Sequence, residues 1–230
     1  MKLQIKLKWL GNWVALLALS MLAAEGLHFT ATGIETRVML ITLAVFISWL
    51  AILLAPMTSG QETQAGDVML WAVMAAAGFL TLSSSPLYFE QGNHNLQLAG
   101  GVLVLVLFFS AIQRLIRVYT SSHANTMILF TLITGAFFAA PLYLSVVAEA
   151  TSYQALVDAI IAASPVSYLA GIVDYDYLRS NWFYQHTPFG GLRFNYPAPG
   201  IMTVCYLIIT FVLTAANILR NNSKPRTLKK

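Results

Sequence analysis

Long apolar stretches alternate along this chain with short polar connections. A helix rises 1.5 Å per residue, so about 20 predominantly apolar residues cross a hydrocarbon core roughly 30 Å thick. Six stretches meet or approach that length: 10–24, 38–56, 68–89, 98–112, 127–147 and 201–219. The fourth is short before Arg114, whose aliphatic stem can carry its charge back to the interface. Pro86 and Pro141 fall within the third and fifth and predict kinks or helix ends there. Pro86 closes a Ser-Ser-Ser-Pro run whose hydroxyls can serve freed backbone groups. The pattern predicts an all-α polytopic membrane protein, one transmembrane domain over residues 1–230 with about six spans.

The connection from 148 to 200 breaks the rhythm. It runs about fifty residues, and a structureless connection of that length is unusual inside a folded domain. Residues 154–163 predict a short helix with an apolar face, closed by Ser164-Pro165. The apolar run 166–173 that follows is too short to cross. Beyond it the segment is crowded with tyrosines around Trp182, as at headgroup level in a bilayer. A re-entrant or interfacial helical segment between spans five and six is the expectation.

Composition agrees with lipid as part of the solvent: 58% of residues are hydrophobic and 10% charged, against about 25% charged in soluble domains. The formal charge of +4 is no nucleic-acid footprint, because the bases sit where membrane orientation is written. Placing both termini in the cytoplasm puts ten of the thirteen Lys and Arg inside, among them Lys2, Lys6, Lys8, Arg114, Arg117, Arg220 and the basic tail. Only Arg37, Arg179 and Arg193 are then outside. This favours a cell (inner) membrane protein with cytoplasmic ends. Met1–Lys8 before an apolar run also has the form of a secretory signal, but no clean small-x-small site follows, so a retained first span is expected.

Candidate chemistry is sparse. No Gly-x-x-x-x-Gly-Lys-Ser/Thr loop is present, so any ATP-driven step would belong to another chain. Gly-x-Ser-x-Gly is absent, and a catalytic residue is not assigned. The lone Cys205 lies in an apolar run and reads as a small buried hydrophobe. His28, His94 and His186 share the outer side as weak metal candidates, but no pair has the close spacing that sets two ligands on one helix face. No cofactor is therefore expected. Every Asp and Glu falls near a span end or in a loop, which argues against a proton-coupled pump acting alone. The outer segment holds Asp158, Asp174, Asp176, Arg179, Trp182 and Arg193. These read either as a gate or docking surface or as local ion pairs anchoring an interfacial helix. On the inner side, Glu62 and Asp67 with Arg114 and Arg117 form a candidate docking set for a cytoplasmic partner.

Six spans with both ends inside, a long outer segment before the last span and the run Ala163-Ser-Pro-Val-Ser-Tyr-Leu resemble the membrane subunit of type-2 ABC transporters. In that family a coupling helix between spans two and three docks on the ATPase, and Gln61-Glu-Thr-Gln-Ala-Gly-Asp is similar in place. The resemblance implies half of a dimeric pore, with a second permease subunit and a cytoplasmic ATPase chain as partners. Its cargo would be a lipid, glycan, peptide or other small compound. Asp174-Tyr-Asp-Tyr-Leu-Arg with Gly191-Leu-Arg-Phe is also faintly similar to the outer segment of a membrane copper monooxygenase subunit, although that family's histidine pattern is missing. A non-catalytic anchor or scaffold subunit of a larger membrane complex stands beside both.

Overall fold

The computed structural model describes residues 11–23, 36–54, 65–84, 92–120, 122–140, 154–179, 196 and 198–223. Among them the regular structure is entirely helical. The helices are α1 (Gly11–Ala23), α2 (Thr36–Leu54), α3 (Ala65–Ser83), α4 (Gly92–Tyr119), α5 (His123–Ala139), α6 (Gln154–Ala163), α7 (Pro165–Ile172) and α8 (Pro199–Ser223), with a 3-10 turn at Tyr177–Arg179. Three of these are long and apolar enough to cross a membrane: Arg37–Leu54, His94–Tyr119 and Pro199–Arg220. The pair α6 and α7, bent by 78° at its break, makes a fourth if it is one span. Gly11–Ala23, Asp67–Ser83 and His123–Ala139 are apolar but shorter.

Of the about six spans expected, three or four helices are therefore long and apolar enough, and a further departure from the sequence reading is in α4. The apolar run 98–112 predicts a short span, yet the helix continues through Arg114 and Arg117 to Tyr119. Leu, Ile, Val and Gln around those arginines are compatible with helix, and two charges one turn apart are too few to end one. Arg114 and Arg117 therefore sit on the last turns of α4 rather than in a loop. Asp67 likewise falls in the first turn of α3, where its charge complements the positive helix terminus. The helix α5 ends at Ala139, while Pro86 and Pro141 lie outside the described residues.

Hydrogen bonds between helix ends fix a lower and an upper level. At the lower level the Asn12 amide donates to the Leu54 carbonyl at 2.9 Å, tying the start of α1 to the end of α2. The Trp71 indole, near the start of α3, donates to Ala51 near the end of α2 at 2.8 Å. Thr120, after α4, shares a hydrogen bond with Thr126 in the first turn of α5. The Arg220 guanidinium lies 4.5 Å over the Tyr119 ring, joining the ends of α8 and α4. At the upper level the Asn95 amide donates to the Ser83 carbonyl at 3.2 Å, linking the start of α4 to the end of α3. Arg37, at the start of α2, reaches the Val173 carbonyl at 3.5 Å. Helices consecutive in the chain thus run antiparallel from α1 to α5, as short connections require.

The helix α4 is the axis of the bundle, packing against α2, α3, α5, α7 and α8. Of its spanning stretch 67% is buried, against 17% for α8. On α4 the residues Leu98, Val102, Leu105 and Phe109 are fully buried, a stripe at helical spacing. An aromatic seam crosses the helices: Phe108 meets Tyr206 of α8 at 4.8 Å, Phe109 meets Phe138 of α5 at 5.7 Å, and Tyr206 meets Tyr168 of α7 at 5.2 Å. In lipid such packing has to come from close van der Waals fit and hydrogen bonds, because the tails are as apolar as the side chains.

Close approach is clearest where α7 crosses α4. A Cβ added to Gly101 would stand 2.7 Å from Ile172 Cδ1 and 2.9 Å from Leu169 Cδ2, whereas one on Gly100 would meet nothing. A leucine at 101 overpacks that crossing, a change that costs about 1–3 kcal/mol. Thermal melts in detergent are expected to show Gly101→Leu clearly below the parent and Gly100→Leu indistinguishable from it.

Candidate functional site

The site most unlike ordinary span packing is the broken helix α6–α7 where it enters the bundle. Pro165 supplies no N–H to the helical ladder, and its ring forces Ser164 into an extended conformation, φ −78° and ψ 124°. The same proline suits the first position of a new helix, where no donor is missed. One dipeptide thus ends α6 and opens α7, producing the bend of 78°.

The helix α7 ends as deliberately as it starts. The Tyr175 amide bonds the Ala170 carbonyl at 3.0 Å and the Asp174 amide bonds Gly171 at 3.2 Å, the paired closure of a Schellman cap. That cap requires a left-handed residue just past the helix, and Asp174 occupies it with φ 51°. Aspartate tolerates that conformation better than most residues other than glycine. Asp174 is exposed, and its conformation gives it a structural task independent of any docking.

Between these two breaks α7 is enclosed. Ser164, Ser167, Tyr168, Leu169, Ala170 and Val173 are all buried, so the segment is embedded among α2, α4, α5 and α8 instead of lying along a surface. Its polar groups are served by side chains. The Tyr168 hydroxyl shares a 2.8 Å hydrogen bond with Thr203 of α8. The Tyr206 hydroxyl donates to the Ala163 carbonyl at 3.2 Å, one of the acceptors left without a helical donor where α6 ends. Tyr206 lies seven residues into α8, about 10 Å along the axis from its start at 1.5 Å per residue, so the break meets α8 within its length.

Above α7 a second layer holds the cluster shut. Ser167 and Tyr177 share a hydrogen bond of 2.9 Å. The Tyr196 hydroxyl accepts from the Leu178 amide at 3.2 Å and donates to the Asp176 carboxylate, pinning the segment before α8 to the turn after α7. Burial pushes the Tyr177 phenol up to about 12, even though its bond from Ser167 works the other way. Tyr196 is also raised, first by burial, with Tyr177 and Asp176 adding to it. These phenols hold their protons at neutral pH. Beside the Asp176 carboxylate the cluster therefore presents neutral hydroxyls that can donate or accept hydrogen bonds, a chemistry suited to holding a polar group or a helix in an apolar wall.

The sequence-derived candidates are partly reassembled. On the inner set, Asp67 lies within electrostatic reach of Arg114, with Arg117 one turn further along α4; Glu62 lies outside the described residues. On the outer set, Asp158 is half-buried on α6, Asp176 holds Tyr196, and Arg179 closes the 3-10 turn. Trp182 and Arg193 lie outside the described residues, as do His28 and His186. His94 is in the first turn of α4, and among the described residues no three His, Cys, Asp or Glu side chains converge to hold a metal ion. Sequence reasoning passed over Gly101, Tyr168, Tyr177, Thr203 and Tyr206. Only the Ser-Pro pair with hydroxyls at 164, 167 and 168 offered a signal for them.

Two outcomes check this geometry. Replacing the strained aspartate by glycine, Asp174→Gly, removes the left-handed penalty and should raise stability by about 1 kcal/mol, while Asp174→Val should lower it by a similar amount. The phenol of Tyr177 is raised above its ordinary value of 10.0, so its contribution is full below pH 10 and is lost as pH rises towards 12. Melting temperature measured from pH 8 to 12 should fall less steeply above pH 10 in Tyr177→Phe than in the parent.

Comparison of the chain with protein-family models, with curated proteins and with solved structures finds no match.

Proposed function

We propose that this chain is the membrane-spanning permease subunit of an ATP-driven transporter whose ATPase is a separate chain. On this reading α1, α2, α3, α4, α5 and α8 are six spans of a cell-membrane protein, with both termini in the cytoplasm. The grouping of Arg114, Arg117 and Arg220 at the lower level supports that orientation, since positive charge concentrates on the cytoplasmic side. The lower level, where Asp67 meets Arg114, would face the ATPase, and the upper level would open to the outside.

The observation that carries the proposal is the short helix α7, broken at both ends yet buried in the bundle. Irregular backbone at membrane depth is tolerated only where protein or a water-filled cavity surrounds it, and transporters use such discontinuous helices at their pathways. A scaffold has no need of this construction. The contacts of α7 and its break with α8 run through the neutral hydroxyls of Tyr168, Thr203 and Tyr206, so that face can open by exchanging hydrogen bonds, which is what a gate over an exit requires. The scaffold reading draws its support from α8, whose Ile201, Val204, Ile208, Phe211 and Val212 are all more than half exposed and could contact a partner as well as lipid.

Co-purification from the native membrane in mild detergent separates the two. The permease reading expects a Walker-type ATPase in stoichiometric amounts, lost when Asp67→Lys reverses the charge beside Arg114. Stable partners with no ATPase among them would replace the permease by the scaffold.

A further inference from the structure

At the level opposite α7, the lower ends of α4 and α8 carry three guanidinium groups, Arg114, Arg117 and Arg220, against one described carboxylate, Asp67. Arg220 is exposed and lies 4.5 Å over the ring of Tyr119, itself 71% exposed, so the cation and its aromatic support form a ledge on the surface. One helical turn above Arg220, about 4.5 Å along the axis, stands Asn217. It is 8% exposed, and neither its Nδ2 nor its Oδ1 has a hydrogen-bond partner among the described residues. Buried side-chain amides are ordinarily satisfied, because leaving one unpaired costs about 1–3 kcal/mol. Asn217 and Arg220 are followed on the same helix by nothing acidic. Beside them Phe211, Val212, Ile218 and Leu219 present an exposed apolar face 53–75% open.

We propose that this corner is a binding site for an anionic phospholipid, with the phosphate on Arg220 and the glycerol ester region at Asn217. A phospholipid offers its acceptors in that vertical order, phosphate outermost and ester carbonyls one step deeper, which matches the order of guanidinium and amide along α8. Its acyl chains would lie on the apolar face that α8 leaves open. The Tyr119 ring sits at the depth where aromatic side chains favour the headgroup layer. Basic ledges between helices on the cytoplasmic side are suited to such headgroups, because the anionic leaflet supplies them and each cation there gains about 1 kcal/mol. The Asn217 side chain must turn out of the α4–α8 seam to meet the ester. In return its amide exchanges an unpaired state for a hydrogen bond. A free phosphate could meet Arg220 but would leave Asn217 and the apolar face unused, so the lipid is the occupant that accounts for all three features. The inference rests on the chain lying in a bilayer and is independent of the permease reading.

The test is native mass spectrometry of the detergent-purified full chain incubated with phosphatidylglycerol or phosphatidylcholine of equal chain length, with melting temperature as a second readout. The parent should retain phosphatidylglycerol several-fold over phosphatidylcholine and melt several degrees higher with it. Arg220→Gln should abolish the preference, and Asn217→Leu should reduce retention while keeping the fold, since leucine suits the buried seam. Arg37→Gln, at the upper level, should leave the preference intact. Equal retention of the two lipids by the parent would overturn the proposal. So would an unchanged preference in Arg220→Gln, or the same stabilisation from glycerol phosphate alone.

Discussion

A helix of eight residues has no stability of its own in water, and in hydrocarbon its unpaired ends are worse still. That constraint organises the upper half of this protein. The helix α7 is kept only because its neighbours supply what its two breaks take away. Tyr206 donates to the Ala163 carbonyl at the proline break. The Asp174 cap closes the carbonyls at the other end, and Arg37 reaches over from α2 to the Val173 carbonyl. Gly101 then lets the α4 backbone come near enough for Leu169 and Ile172 to fill the crossing. Each of these is a modest interaction, yet together they let irregular backbone persist where the surrounding helices enclose it.

The chemistry of the two levels differs in kind. Where α7 meets α8 the polar groups are neutral hydroxyls, in a wall otherwise built from Leu, Ala and aromatic rings, while Arg37, Asp174 and Asp176 gather at its C-terminal end. At the lower level the charged groups are arginines with a single described carboxylate, half-buried to exposed. A neutral hydroxyl cluster can form and break contacts without the desolvation cost that a charge would carry. The arginine level is instead suited to a fixed anionic environment, whether a headgroup layer or an acidic surface.

Much of the helical framework was readable in the residues. The spacing of apolar runs located each long helix, and Ser164-Pro165 marked the boundary between α6 and α7 because proline chemistry is local. The apolar run alone under-called α4, since a window that stops at the first charge cannot see that Arg114 and Arg117 continue the helix at its end. The burial of α7 was not readable either. An apolar stretch too short to cross fits a surface helix and an embedded one equally well, and only the side chains of α4 and α8 decide between them. Asp174 shows the same limit in reverse. As a charge in an outer segment it invited a docking role, while the left-handed backbone that gives it a structural reason becomes visible only in three dimensions. Tyr168, Thr203 and Tyr206 come from positions up to 38 residues apart, and no linear pattern joins them.

The claim on which the rest depends is that α7 is enclosed by the bundle. Hydrogen–deuterium exchange of the protein in lipid nanodiscs tests it most directly, because backbone amides report enclosure without any substitution. The amides of 168–172 should exchange as slowly as those of 102–109 in the middle of α4. Exchange on the timescale of an exposed surface helix, orders of magnitude faster than α4, would contradict the account.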